Sequence, residues 1–146
     1  MGSGPHGALR AADIATRPAL AVERGDPACH AEQLMRVHRV RHVVLTEGGK
    51  AVGMVSHRDL VAAAGPSVGV ARAAGHGGLL SVSEHAALRE AVDVMLDSRV
   101  GAVPLLDAGG HAIAVLTRRD LVRAMVERGW GEVSRPGASS APPSSA

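Results

Sequence analysis

The chain is predicted to be an α+β domain in which one β-α-β-β-α unit is used twice, and three observations carry that prediction. Leu20, Val22, Ala31, Met35 and Val40 recur sixty residues later as Leu80, Val82, Ala91, Met95 and Val100, with Leu34 answered by Val94. Past the glycine turns the offset becomes sixty-one, and Val55-Ser56-His57-Arg58-Asp59-Leu60-Val61 is answered by Leu116-Thr117-Arg118-Arg119-Asp120-Leu121-Val122. Within each copy, apolar residues run first at helical spacing and then as short strands separated by Gly-Gly. A unit of this length cannot bury its own apolar face, so the two copies are expected to pack on each other.

The elements follow in order. Residues 1–7 (MGSGPHG) read as disordered, 8–67 as the first copy, 68–130 as the second and 131–146 as a Pro-, Ser- and Ala-rich disordered tail. The first copy opens with a short helical Ala8 to Ile14 and an extended Arg17 to Val22, where Pro18 keeps its predecessor out of the α region. Asp26 is expected to cap the next helix with Pro27 at its first position, and Ala28, Ala31, Leu34 and Met35 give it one apolar face ending near His38. His42 to Leu45 reads as a strand, Gly48-Gly49 as a hairpin turn, Ala51 to Val55 as the return strand and His57 to Ala64 as a helix. In the second copy Ser83 is the expected cap before a stripe of Leu88, Ala91, Val92, Met95 and Leu96. Strand Ala102 to Leu106, turn Asp107 to Gly110, strand Ala112 to Leu116 and helix Arg118 to Arg128 complete it, and the extra turn residue accounts for the change of offset. The third strands, Ala51 to Val55 and Ala112 to Leu116, are nearly continuous apolar runs, which predicts burial on both faces.

Composition narrows the function. The 146 residues include a single aromatic, Trp130, so the core is built from aliphatic side chains and methionines, with Met35, Met54, Met95 and Met125 at core-like positions. Sixteen basic residues against 14 acidic give a formal charge of +2, too balanced to point to a polyanion despite a sequence pI near 9.5. Fifteen of the sixteen bases are arginine, a bias that GC-rich codon usage explains together with the abundant Ala and Gly. Single strands of nucleic acid would lack aromatic stacking partners. Cys29 is the only cysteine, which excludes an intrachain disulfide and reads as a small buried residue. His38 and His42 have zinc-like spacing but no third ligand at a recognisable distance, so no metal is expected. With no apolar h-region and no run of about eighteen apolar residues, the expected location is cytoplasmic. Paired carboxylates of the hydrolytic kind are absent, so the chain reads as non-enzymatic.

The chemistry-bearing motif is the hydroxyl-x-x-aspartate at each strand-to-helix junction, Ser56 to Asp59 and Thr117 to Asp120. A Ser or Thr three residues before an acid forms a capping box worth about 1 kcal/mol and by itself needs no ligand. Two bases sit inside each motif, His57-Arg58 and Arg118-Arg119, at helix starts that favour an anion. A carboxylate that can accept from vicinal hydroxyls, a hydroxyl beside it and nearby arginines also describe the sugar and tail of a nucleotide.

Residues 9–128 resemble a tandem pair of CBS domains, the repeat named after cystathionine β-synthase. The resemblance rests on Ile14-Ala15-Thr16-Arg17-Pro18 before the first strand, the A-x-x-x-M helices, Val103-Pro104-Leu105-Leu106-Asp107, and Gly53-Met54-Val55-Ser56-His57-Arg58-Asp59-Leu60. It implies two repeats about a pseudo-twofold axis, a homodimer, and a regulatory, energy-sensing role in which an adenosine compound (AMP, ADP, ATP or S-adenosylmethionine) binds between the repeats and an effector protein responds in trans. Carried over, Asp59 and Asp120 would hold ribose hydroxyls with Ser56 and Thr117 beside them. Adenine would lie among Thr16, Pro18, Ala19, His42 and Val43 in one cleft, and among Leu79, Leu80, Ala102 and Val103 in the other, beside Pro104. His57, Arg58, Arg118 and Arg119 would face phosphate. Val44 replaces the proline present at Pro104, Ala114 replaces the glycine present at Gly53, and Ala71 to Gly78 depart from the usual repeat opening. One good site is therefore expected, with Asp59 and Asp120 evenly placed. The rival readings are a ligand-free interaction scaffold, in which the motifs only cap helices, and an Arg-rich nucleic-acid binder, whose affinity would fall steeply with salt.

Overall fold

The computed structural model describes residues 8–62, 69 and 79–134. The order is α1 (Ala11–Ile14), β1 (Ala21–Glu23), α2 (Ala28–His38), β2 (His42–Glu47), β3 (Lys50–Ser56) and α3 (His57–Ala62), followed by β4 (Val82–Ser83), α4 (Leu88–Ser98), β5 (Ala102–Leu106), β6 (Ala112–Thr117), α5 (Arg118–Arg128) and the short α6 (Trp130–Val133). Each copy forms its own three-stranded sheet, β1-β2-β3 and β4-β5-β6. The outer strands β1 and β4 run parallel to the central β2 and β5, and β3 and β6 run antiparallel to them. The expected end of the α3 helix at Ala64, the opening Ala71 to Gly78, residues 1–7 and the tail from residue 135 lie outside the described residues. Residues 131–133, assigned to the tail from composition, continue helically in α6.

The central strands β2 and β5 are buried along nearly their whole length. The third strands, expected to be buried on both faces, are so only in part because they lie at the sheet edges: β3 is mostly half-buried and β6 is buried at Ala114, Val115 and Leu116. Helix α2 packs Ala31 and Met35 onto Val22, Val43, Leu45 and Val55. Helix α4 packs Leu88, Ala91 and Met95 onto Val82, Val103, Leu105 and Leu116. The two helices stop the same way. Arg39 and Arg99 adopt the left-handed conformation (φ 56° and 57°), and the N–H of Val40 and of Val100 donates to the carbonyl of Met35 and of Met95 at 3.0 Å. Such a 6→1 bond satisfies a helix-end carbonyl, and the following valine fixes the exit by burying itself. Gly48 and Gly49 both have positive φ (60° and 86°), which a two-residue hairpin turn requires.

Three local expectations are corrected. Helix α2 is capped at Pro27, with no side-chain cap bond; the Asp26 carboxylate instead accepts from the Glu23 N–H at 3.0 Å. Ser83 lies in β4 and accepts from the His85 N–H at 3.0 Å, while Ala87 precedes α4. In the second repeat the turn Glu84-His85 intervenes between Ser83 and the helix. Cys29 is exposed, because Ala28 and Ala31 take the buried face of α2.

The copies exchange their leading segments. Leu9 and Ala11, which open the first copy in sequence, are buried in the core of the second, and the Ala11 N–H donates to Ala86 O at 3.0 Å while Leu88 N–H donates to Leu9 O at 2.9 Å. An isolated antiparallel bridge joins Arg10 to Ala87, and its counterpart one repeat away joins Gly69 to Pro27. The seam between sheets is a small apolar core of Val44, Ala102 and Val115, flanked by Ala19, Ala51, Met54 and Ala112. At its edge the hairpins meet, with the Ala51 N–H donating to Gly110 O at 2.9 Å. The small side chains at this seam let the sheets approach closely.

Candidate functional site

Both capping boxes form. Asp59 Oδ2 accepts from the Ser56 N–H at 2.9 Å and Ser56 Oγ from the Asp59 N–H at 3.1 Å. Asp120 Oδ2 and Thr117 Oγ1 repeat the arrangement at the same two distances. Strand pairing places His42 opposite Ser56 and Ala102 opposite Thr117. The first N–H of each helix is held by the residue just before the neighbouring central strand, His57 on Arg41 O at 2.8 Å and Arg118 on Gly101 O at 3.1 Å.

The aspartates nevertheless occupy different surroundings. Thr16 exchanges backbone hydrogen bonds with Val115 at 2.9 and 3.0 Å, which adds the segment before β1 to the edge of the second sheet. From there the Thr16 hydroxyl donates to Asp120 Oδ1 at 2.6 Å. With both oxygens engaged and Arg123 Nη1 at 3.8 Å, Asp120 is 2% exposed. Asp59 is half-buried, and among the described residues no hydroxyl reaches it as Thr16 reaches Asp120. Thr16, expected beside His42, thus belongs with Asp120 because the leading segment crosses to the other repeat.

His42, half-buried, opens β2 opposite Ser56, while Arg118 is exposed at the start of α5. Burial holds the His42 ring below its usual pKa; Asp59 opposes this, while Arg118 and Arg41 add to it. The Arg118 guanidinium lies along Gly101, where a Cβ would stand 3.5 Å from its Cζ. His57, Arg58 and Arg119 are exposed. Val43 and Val103 send fully buried side chains into the two repeat cores, leaving their backbone as what they can offer a ligand. Pro104 is likewise buried, Ala102 and Ala19 face the seam, Pro18 is exposed, Leu79 is half-buried and Leu80 is exposed. Two surface hollows on the second repeat, about 410 and 270 Å³, do not include either aspartate, although Arg118 and Leu121 line the smaller. Among the described residues no cluster of three or more His, Cys, Asp and Glu is placed to hold a metal, and no helix is long and apolar enough to cross a membrane.

Because folding lowers the His42 pKa, the unfolded chain binds more protons in the window below the usual histidine value of about 6.5. Stability is therefore expected to rise with pH through that window and to be lost on acidification as His42 is forced to charge. Thermal melts from about pH 5 to pH 7 should show a shallower slope for His42→Ala than for the native chain; equal slopes would contradict this placement of the ring.

Arg41, whose carbonyl accepts the first N–H of α3, was not singled out by the sequence reading. The pairing of Thr16 with Asp120, 104 residues apart, likewise has no local signal.

Comparison with known proteins places this geometry. A CBS-domain family profile matches residues 11–65 and again 77–127. Protein MK0525 of Methanopyrus kandleri is 26% identical over 117 residues, covering 76% of this chain, and the match spans 60% of that protein's length. The CBS domain pair of protein MJ0100, solved with 5'-methylthioadenosine and S-adenosyl-L-methionine, superposes with a TM-score of 0.73 at 17% identity, over 82% of this chain and 97% of that one. CBSX2, solved in complex with AMP, gives 0.68 at 23% identity, over 81% and 96%. The chain belongs to the CBS-domain family and carries two copies of that domain, folded as a pair.

Proposed function

We propose that this protein is a non-enzymatic regulatory module that binds an adenosine-type ligand between its repeats, at the Asp59 cleft, and passes the bound state to a protein partner in trans. The observation that supports the reading is the half-buried Asp59, bonded among the described residues only by its capping box with Ser56 and lying beside His42 across the sheet, against an Asp120 whose oxygens are already taken by Thr16 and Thr117. A half-buried carboxylate with a hydroxyl beside it suits a ribose diol. The adenosine compounds bound by the CBS pair of MJ0100 and by CBSX2 support the ligand class.

Asp120 plays a different part. Its oxygens are already taken by Thr16 and Thr117, so it ties the leading segment to the second repeat. A ligand touching both repeats stabilises whichever inter-repeat tilt fits it best, and only that differential affinity shifts the population a partner reads. The expected assembly is a cytoplasmic homodimer.

A scaffold without ligand is the second reading, favoured by the completeness of both capping boxes. Thermal-shift titration with AMP, ADP, ATP, S-adenosylmethionine and GTP separates the two, since a ligand at a hundred times its Kd adds about 2.7 kcal/mol of stability. Upward shifts confined to adenosine compounds are expected; a flat response to the whole panel would leave the scaffold.

A further inference from the structure

The hydrogen bond from the Thr16 hydroxyl to Asp120 Oδ1, 2.6 Å long, lies in the range of strong bonds to a charged acceptor. The backbone fixes the donor from both sides. The Thr16 N–H donates to Val115 O at 2.9 Å, and the Val115 N–H donates back to Thr16 O at 3.0 Å. Farther along the leading segment, Leu9 and Ala11 are buried in the core of the second repeat. Threonine is β-branched with few side-chain rotamers, so little freedom is lost in holding its hydroxyl on the carboxylate.

This donor is a secondary alcohol, the same group that a sugar diol presents. Asp120 Oδ2 is committed to the Thr117 N–H at 2.9 Å, which leaves Oδ1 as the oxygen able to take a hydroxyl from outside, and Thr16 occupies it. Arg123 Nη1 stands 3.8 Å from the same oxygen. With Asp120 only 2% exposed, an incoming hydroxyl has to replace Thr16 and has no room to bind beside it. A donor carried by the chain itself competes at high effective concentration, so a free ligand loses that exchange. The second motif is otherwise as complete as the first, with the same two capping distances.

We propose that Thr16 is an autoinhibitory residue: its hydroxyl stands in for a ligand hydroxyl on Asp120, keeps that carboxylate closed, and so limits the protein to one ligand per chain. This inference rests on the reading of the hydroxyl-x-x-aspartate motif as a diol acceptor. Release requires only that the Thr16 side chain turn to another staggered position, because the backbone bonds to Val115 do not involve the hydroxyl.

The test is calorimetric titration of the full chain with adenosine, in the native protein and in Thr16→Ala, Thr16→Ser, Asp59→Ala and the Asp59→Ala, Thr16→Ala double variant, each first shown to be folded by circular dichroism. The native chain is expected to bind one adenosine. Thr16→Ala, which removes the competing hydroxyl, is expected to bind a second. The double variant should bind about tenfold more tightly than Asp59→Ala alone, the order expected when a ligand no longer displaces a hydrogen bond to a charged group. Thr16→Ser keeps the donor and should bind as the native chain does, whereas a purely structural Thr16 would leave one site in every Thr16 variant. Two sites in the native chain, or one site in Thr16→Ala with no gain in the double variant, overturns the inference while leaving the Asp59 site standing. Binding by Thr16→Ala where the native chain binds nothing keeps the inference and removes the Asp59 site. No binding by either overturns both.

Discussion

Asp120→Ala is expected to destabilise the protein by about 3 kcal/mol, far more than the same change at Asp59. The substitution removes the buried acceptor of the Thr117 N–H and the half-buried Thr16 hydroxyl, and each donor left unsatisfied on burial costs about 1–3 kcal/mol. The melting temperature should fall by roughly 10 °C for a domain of this size. Asp59 is half-buried and its box is its only bonding among the described residues, so Asp59→Ala should cost about 1 kcal/mol, the usual worth of a cap. A double-mutant cycle with Thr16→Val assigns the difference: Thr16 and Asp120 should show coupling of about 1–2 kcal/mol. Equal destabilisation by the two alanine variants would contradict the asymmetry.

The order reverses for ligand. Asp59→Ala is expected to weaken binding of AMP about a hundredfold, close to 2.8 kcal/mol at 1.4 kcal/mol per decade, because the ribose diol loses its acceptor. Calorimetry on the folded variant reads this directly, and its small stability cost makes misfolding easy to exclude by circular dichroism. A Kd within twofold of the native value would remove Asp59 from the site. Asp120→Asn, which keeps the shape of the buried side chain, should bind AMP nearly as the native protein does.

The repeat was legible in the sequence because packing, secondary structure and turn chemistry all recur at one spacing. Strand β5 and helix α5 fall where their apolar run and hydroxyl-x-x-aspartate cap place them. The start of α2 did not, because Asp26 spends its carboxylate on Glu23 and His30. Composition also misjudged Cys29, since a helix with alanines on its inner face has room for cysteine outside. The two aspartates look alike in sequence, each with a hydroxyl three residues earlier and two bases between. What distinguishes them is the crossing of the segment before β1, which delivers Thr16 to Asp120 and removes it from His42. That exchange is a tertiary event governed by Leu9 and Ala11 finding the second core, and no spacing announces it.

The central claim, that an adenosine ligand sits on Asp59 between the repeats, is tested most directly by a crystal structure of the full chain grown with saturating AMP. The expected result is density for one nucleotide with its ribose hydroxyls on the Asp59 carboxylate and with the Thr16 to Asp120 hydrogen bond intact. Ribose on Asp120 with that bond broken, or an empty Asp59 cleft under the same conditions, would contradict the account.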